Sequence, residues 1–215
     1  MAGQCVGDGL VVDVSKHFTK IISVDEVNKQ VTLQPGVIRD ELNQYLKPYG
    51  LFFGPNTSTS NRCMVGGMVG NNSSGTTSIQ YGVTRDKIIS MKTILSDGSE
   101  AEFGRISAED FKKKQNGNTL EASLYANIYK ELVNKEIAKE VIDHFPKPEI
   151  HRRNTGYAVD ELLKSQIFGG KEPYFNMAEL LCGSEGTLAF TTEITVQLDD
   201  LPPALSAMVV THYTS

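Results

Sequence analysis

The segment from Gly54 to Gly75 has residue types that suit binding of an anionic ligand. Five of its 22 residues are glycine, ten are serine, threonine or asparagine, and Arg62 is its only charged residue. Glycine exposes backbone N–H groups, and these groups and hydroxyls are neutral donors for phosphate oxygens. A helix N-terminus adds partial positive charge. The segment therefore predicts a phosphate or nucleotide site, with a purely structural glycine-rich loop as the alternative.

Adjacent glycines at positions 66 and 67 lie within an apolar stretch that predicts a short buried helix. The apolar residues around them are Met64, Val65, Met68 and Val69. Each glycine costs a helix about 1 kcal/mol relative to alanine. The missing side chains therefore indicate the close approach of a flat ligand or of another backbone segment.

A second glycine motif lies at residues 182–190. Gly183 and Gly186 bracket Ser184 and Glu185 in a tight turn between a short helix predicted over 176–181 and a long strand. By itself this is also a common turn. The chain contains no Walker pattern, no dinucleotide fingerprint that follows a strand, and no nucleophile elbow.

Composition argues against several classes of protein. The net charge is −5 and the pI about 5.4, without a basic cluster, which argues against nucleic-acid and anionic-membrane binding. The sequence has no run of about 18 apolar residues, so we expect no transmembrane helix. The three cysteines are far apart and indicate a reducing compartment, so we expect a cytoplasmic protein. The four histidines are scattered and predict no metal site.

Hydrophobic periodicity predicts strands that occur mostly in hairpins, with helices at irregular intervals. This pattern favours an α+β fold, with an antiparallel or mixed sheet flanked by helices. The predicted strands are Leu10–Val14, Ile21–Val24, Gln30–Leu33, Ile88–Leu95, Glu100–Phe103, Ala189–Leu198 and 207–212. The predicted helices are Val37–Tyr49, a short one capped at Ser107, and a long one over Thr119–His144.

Four motifs in a fixed order resemble the FAD-binding domain of FAD-linked oxidases, the vanillyl-alcohol oxidase (PCMH-type) superfamily. They are GPNTSTSNRCMVGGMVGNNSSGTTSIQYG, TILSDGSEAEFG, RRNTGY and LLCGSEGTLAFTTEITVQL. The chain is most similar to the branch of the glycolate oxidase D-subunit, D-lactate dehydrogenase and D-2-hydroxyglutarate dehydrogenase. The resemblance runs from about Ala2 to about Leu201.

The resemblance implies two α+β lobes with FAD between them. In the family, the pyrophosphate loop precedes an Ala/Val-Gly-Gln sequence, which corresponds here to Ala2-Gly3-Gln4. We therefore expect a truncated N-terminal lobe, and weak or absent FAD binding by this fragment alone. Residues 1–205 would be an FAD-binding domain incomplete at its N-terminus, and 206–215 the start of the link to a C-terminal cap domain.

The family's flavin and pyrophosphate contacts carry over onto two groups of positions. The first comprises Pro55, Thr57, Ser58, Ser60, Asn61, Gly66, Gly67, Gly70, Asn71 and Ser73. The second comprises Glu185, Gly186, Thr187 and Leu188, with Phe190 nearby. The chain departs from the family at Met64, where a threonine is usual, and at Ala189, where a glycine is usual.

The activity that the resemblance implies is hydride transfer from a D-2-hydroxy acid of the lactate, glycolate or 2-hydroxyglutarate class to N5 of FAD. Similarity to long bacterial members implies electron transfer to iron–sulfur clusters outside this chain, and a full-length protein peripheral at the inner membrane. The electron acceptor stays open. Substrate arginines and metal-binding histidines belong to the cap domain in this branch, so no catalytic residue or metal ligand is assigned here.

The role of two arginines has two interpretations. Arg152 and Arg153 could reach an anionic substrate or the flavin edge, or could form a salt-bridged loop.

Two alternative functions also stay open. The first is a flavin reductase of the UDP-N-acetylenolpyruvylglucosamine type, although such sequences lack the stretch Gly183–Leu188. The second is a non-enzymatic nucleotide-binding module.

Overall fold

A computed structural model describes residues 11–147, 149–150, 152–154, 156–205 and 207–213. These residues form eight strands: β1 Ile21–Asp25, β2 Gln30–Leu33, β3 Leu51–Phe52, β4 Ile88–Ile94, β5 Glu100–Ile106, β6 Phe175–Asn176, β7 Phe190–Gln197 and β8 Asp199–Asp200. Six of them make an antiparallel sheet in the order β1-β2-β7-β4-β5-β6, and β3 pairs with β8.

Eight α-helices connect these strands in the described residues: α1 Arg39–Leu46, α2 Val65–Asn71, α3 Ser78–Tyr81, α4 Ala108–Lys114, α5 Leu120–Leu132, α6 Lys135–His144, α7 Val159–Leu162 and α8 Ala178–Leu181. Short 3₁₀ turns cover Lys47–Tyr49, Arg85–Lys87 and Gln166–Phe168. The arrangement confirms the α+β prediction, and no parallel pairing occurs between the strands described.

Strand β7 is an inner strand of the large sheet, and its apolar alternation was predicted. Ile194, Val196 and Leu198 are buried, and they share one face of the sheet because side chains two residues apart point the same way. Val196 lies opposite Val31 of β2, and Ile194 lies opposite Met91 of β4. Strand β7 therefore joins the hairpin β1–β2 to the hairpin β4–β5.

Local signals in the sequence correctly predicted several turns and caps. The Asp97 carboxylate accepts hydrogen bonds from the Ser99 amide and hydroxyl, and Gly98 has the positive φ that the hairpin turn requires. The Ser107 hydroxyl accepts from the Asp110 amide and caps α4. Gly50 ends the 3₁₀ turn after α1 in a left-handed conformation.

Three predicted elements are wrong. The helix predicted over Thr119–His144 is two helices, because the Asn134 side chain accepts a hydrogen bond from the Glu136 amide and starts α6. Leu10 lies outside the described residues, and residues 11–14 form no strand; the Val14 carbonyl accepts from Phe18 instead. Residues 207–212 also form no strand, and all of them are exposed.

An aromatic cluster fills the core beneath β5 and β6. Phe111 lies at its centre, with ring centroids 4.7 Å from Phe175 and 5.4 Å from Tyr125. Tyr125 is fully buried, and its hydroxyl has no hydrogen-bond partner among the described residues. Burial raises the pKa of this hydroxyl well above its ordinary value.

Replacing Tyr125 with phenylalanine should stabilise the chain by about 1 kcal/mol, since it removes a buried polar group without a partner. Chemical denaturation would measure the change. The matched control is Tyr129→Phe, because Tyr129 belongs to the same cluster but is 39% exposed. A Tyr125→Phe variant that is less stable than the wild type would contradict the prediction.

Candidate functional site

Helix α2 and the turn at residues 183–186 both line a cavity of about 350 Å³. Gly66, Gly67 and Gly70 of α2 contribute to the lining, as do Ser184, Glu185 and Gly186 of the turn. Val12, Val14, Pro35 and Phe190 are among the remaining lining residues. The structure thus brings together five of the predicted site residues from two segments that are distant in sequence.

The adjacent glycines of α2 serve different purposes. A Cβ atom added at Gly66 would lie 2.5 Å from Cβ of Pro35, so this glycine permits close backbone packing. A Cβ atom at Gly67 would meet no atom within 4 Å, although the residue lines the cavity. The protein itself therefore does not require glycine at position 67, which leaves a flat surface open to a ligand.

The first amides of α2 are already bonded to protein. The Val65 amide donates to the Val37 carbonyl at 2.8 Å, and the Gly66 amide donates to the Pro35 carbonyl at 2.8 Å. The expectation that the amides of this glycine segment would bind anionic oxygens is therefore wrong for these two.

The turn at residues 183–186 is bonded to the end of α2. The Gly183 amide donates to the Val69 carbonyl at 2.9 Å, and the Glu185 amide donates to the Gly70 carbonyl at 2.8 Å. Gly183, Glu185 and Gly186 all have positive φ. Glycine adopts this conformation at little cost, and for Glu185 the conformation is uncommon.

Thr187 and Leu188 follow the turn. The Thr187 hydroxyl donates to the Ser184 carbonyl at 2.6 Å and lies 2.8 Å from the Tyr157 hydroxyl. Leu188 is 37% exposed. The Arg-Arg-Asn-Thr-Gly-Tyr motif is thereby brought to the second glycine turn through Tyr157, a contact that the sequence did not indicate.

The predicted contacts at residues 55–61 lie outside this cavity and pack around the start of α1. The Pro55 carbonyl accepts from Nε of Arg39 at 3.2 Å, and the Ser60 hydroxyl donates to the Asp40 carboxylate at 3.0 Å. The Thr57 hydroxyl lies 3.2 Å from Sγ of Cys63. Ser58 and Asn61 are exposed. Their role as cofactor contacts stays a prediction.

The end of α2 contains further predicted residues and one that was missed. The Asn71 side chain donates to the Ser73 hydroxyl at 3.0 Å, also away from the cavity-lining set. Asn72 is fully buried in a left-handed conformation. Its Oδ1 accepts from the Arg85 amide at 2.9 Å, and its Nδ2 donates to the Arg153 carbonyl at 3.2 Å. Asparagine's tolerance of left-handed backbone was the available signal.

Only one of the two interpretations of the arginine pair is supported by contacts in the described residues. Arg153 forms ion pairs with Asp160 and Glu161, as the salt-bridged-loop interpretation predicts. Arg152 is exposed and donates from Nε to the Ser74 hydroxyl at 3.2 Å.

Cys182 lies beside the turn, and burial raises the pKa of its thiol to about 12, so the thiol stays protonated.

Glu179 of α8 is the carboxyl group with the most perturbed ionisation near this turn. Burial, together with the negative charges of Glu172 and Glu161, raises its pKa to about 7 from an ordinary value of 4.5. Between pH 4.5 and 7 the folded chain keeps a proton that the unfolded chain has lost. The stability contribution of Glu179 is therefore complete below pH 4.5 and is lost as pH rises through 7.

Glu179→Gln should remove this pH dependence. The variant and the wild type should be similarly stable at pH 4. At pH 8 the variant should be more stable by up to about 3 kcal/mol, at about 1.4 kcal/mol for each unit of pKa difference. Urea unfolding at several pH values would measure this difference. Glu109→Gln on the exposed start of α4 is the control, and equal pH profiles for the wild type and Glu179→Gln would refute the assignment.

Sequence comparisons relate the chain to known flavoproteins. The profile of a family described as "FAD binding domain" matches residues 1–104. D-2-hydroxyglutarate dehydrogenase of Escherichia coli (strain K12) is 36% identical over 200 residues, which cover 93% of this chain and 19% of that protein. Glycolate oxidase subunit GlcD of Bacillus subtilis (strain 168) is 35% identical over 108 residues, covering 50% of this chain and 23% of that protein.

A solved structure of alkyldihydroxyacetonephosphate synthase has the same fold, with a TM-score of 0.51 at 18% identity. The match covers 88% of this chain and 23% of that one. The chain spans about a fifth of the length of the D-2-hydroxyglutarate dehydrogenase that it matches.

The described residues contain no candidate for a membrane span or for a metal site. None of their helices has the length and apolar character needed to span a membrane. They also contain no group of three or more His, Cys, Asp or Glu residues that could hold a metal ion.

Proposed function

We propose that this chain, which belongs to the FAD-linked oxidase family through its PCMH-type FAD-binding domain, supplies part of the FAD site of a D-2-hydroxy acid dehydrogenase. The observation that carries the proposal is the cavity lined by α2 and the turn at 183–186, to which both segments contribute glycines beside mostly apolar side chains. The similarity to a D-2-hydroxyglutarate dehydrogenase and a glycolate oxidase subunit supplies the substrate class.

The cavity fits the flavin ring better than the pyrophosphate of FAD. Gly67 and Gly186 present open backbone, since a Cβ atom on either would meet nothing within 4 Å. The amides of Val65, Gly66, Gly183 and Glu185 are bonded to protein carbonyls. A planar ring needs close approach more than it needs many donors, so we assign the isoalloxazine to this cavity.

The residues proposed to hold FAD fall into two groups. Those lining the cavity would contact the ring: Gly66, Gly67, Gly70, Glu185 and Gly186. The others would contact the remaining parts of the cofactor: Pro55, Thr57, Ser58, Ser60, Asn61, Asn71, Ser73, Thr187 and Leu188. In this proposal, residues 1–205 form the FAD-binding domain and residues 206–215 begin the link to a cap domain.

Bound FAD would supply the hydride acceptor, and this chain would hold and orient it. Substrate recognition, and any metal or iron–sulfur cluster, are assigned to other parts of the longer protein. The relatives named above are a D-2-hydroxyglutarate dehydrogenase and a glycolate oxidase subunit, so the proposed substrate is a small 2-hydroxy acid. The free thiols of Cys63 and Cys182 support a cytoplasmic location. The position of the longer protein at the inner membrane surface is proposed from the family resemblance alone.

Calorimetric titration of FAD into two chains would test the proposal: this chain, and one extended upstream through the family's pyrophosphate loop. We expect tight binding by the extended chain and weak or no binding by the shorter one, because charge-assisted hydrogen bonds to the pyrophosphate contribute about 1.5–3 kcal/mol each. NAD⁺ serves as the control ligand. Absence of heat from both chains with FAD would overturn the proposal.

A further inference from the structure

Arg85 is a buried arginine without a carboxylate partner. Only 6% of the residue is exposed, and it forms no ion pair in the part of the chain that the structure describes. Its guanidinium instead donates from Nε to the Glu179 carbonyl at 3.0 Å and from Nη2 to the Cys182 carbonyl. Burying a cation is costly unless it is hydrogen-bonded, so these two bonds fix where the guanidinium lies.

Both acceptors belong to the segment that leads into the glycine turn. Cys182 directly precedes Gly183, and a Cβ atom on Gly183 would lie only 2.6 Å from Nη2 of Arg85. On its other side the turn donates its Gly183 and Glu185 amides to α2. The turn is therefore held between the end of α2 and the Arg85 guanidinium.

Arg85 does not line the flavin cavity. Its own amide is bonded to the Asn72 side chain at the end of α2, so one residue is hydrogen-bonded both to the end of α2 and to the segment before the turn. Arg85 would therefore affect a ligand in the cavity indirectly, by fixing where the turn lies.

We propose that Arg85 is a positioning residue for the flavin site, which holds the segment before the turn at residues 183–186 and so keeps the turn in its hydrogen-bonded place against α2. The expected effect on FAD binding rests on the proposed function. The expected effect on the position of the turn concerns the ligand-free chain and does not. Lysine keeps the charge but cannot make the forked pair of bonds, and methionine keeps only the apolar stem. The expected order of effect is therefore Arg85→Met greater than Arg85→Lys.

Hydrogen exchange of the ligand-free chain tests the structural part. In Arg85→Met, the amides of 182–187 should exchange at least about ten-fold faster than in the wild type, while those of β5 stay unchanged. Arg85→Lys should give an intermediate exchange rate. If Arg85→Met does not fold, Arg85→Lys is compared with the wild type in its place. The control is Lys92→Met, which removes the surface ion pair with Glu193 on the sheet. Unchanged exchange at 182–187, or equal loss of protection across the whole chain, would overturn the positioning role.

FAD titration of the upstream-extended chain separates this proposal from the proposed function. We expect Arg85→Met to weaken binding about ten-fold or more and to alter the visible absorption spectrum of bound FAD, with Arg85→Lys partly restoring both. Wild-type affinity and spectrum in Arg85→Met would refute positioning and leave the proposed function intact. No binding by the wild type would refute the proposed function, while the exchange result would still decide the role of Arg85.

Discussion

Gly67→Ala is expected to weaken FAD binding about ten-fold or more while leaving the free chain at least as stable as the wild type. The added methyl group would project from α2 with no protein atom within 4 Å, so nothing in the fold opposes it. Alanine in place of glycine inside a helix contributes about 1 kcal/mol of stability. In the cavity, the same methyl group would separate α2 from a ring that needs close approach, and a tenfold loss of affinity corresponds to about 1.4 kcal/mol.

Gly66→Ala is the matched variant one position earlier. Its Cβ atom would lie 2.5 Å from Cβ of Pro35 and 2.9 Å from the Pro35 carbonyl oxygen, so α2 must shift. We expect overpacking to cost about 1–3 kcal/mol of stability. The pair therefore separates a glycine that packing does not require from one that it does require, on a single helix.

Thermal denaturation and FAD titration of the upstream-extended chain would measure both variants. Stability preserved in Gly67→Ala with weaker FAD binding would support the assignment of the cavity to the flavin ring. The assignment fails if Gly67→Ala binds FAD as tightly as the wild type. Destabilisation of Gly67→Ala in the absence of FAD would show instead that this glycine, like Gly66, is required by packing.

Phe111→Ala should lower the free energy of unfolding by about 3–5 kcal/mol. Phe111 is 1% exposed, and its ring packs against Tyr125, Tyr129, Phe168 and Phe175. Removing it leaves a cavity among rigid rings that cannot easily collapse, so both the burial and the packing contributions are lost.

Urea unfolding would measure this loss, with Tyr129→Ala as the control. Tyr129 is a large ring of the same cluster but is 39% exposed, so its removal should cost less than half as much. Equal losses for the two variants would contradict the view that the buried centre of the cluster carries its stability. A loss below about 1 kcal/mol for Phe111→Ala would contradict it as well.

Local signals were enough to predict much of the fold. The hairpin turn at Asp97-Gly98 and the helix cap at Ser107 each need only a few neighbouring residues, and both are confirmed. The break at Asn134 was missed because the apolar stripe continues across it, so periodicity alone predicted one helix. Strands of two residues, such as β3 and β8, have no periodicity to detect and exist only because they pair with each other.

The site was predictable in its parts but not in its internal bonding. Family resemblance identified both the Gly66-Gly67 pair and the turn at Glu185-Gly186, and the structure places both in the lining of one cavity. The bonding of the Val65 and Gly66 amides depends on carbonyls of Pro35 and Val37, about 30 residues earlier. Such a partner is set by tertiary packing, so composition could not reveal that these donors are used.

The position of β7 within the sheet has a consequence for synthesis on the ribosome. Gln30 of β2 and Gln197 of β7 lie opposite each other although 167 residues separate them. Until β7 has left the ribosome, the nascent chain contains two separate hairpins. The edges of β2 and β4 that pair with β7 in the finished sheet are then unpaired. Unpaired strand edges associate readily with other chains. Translation therefore exposes this domain to aggregation until almost all of it has emerged, and the two halves of its sheet join in one late step.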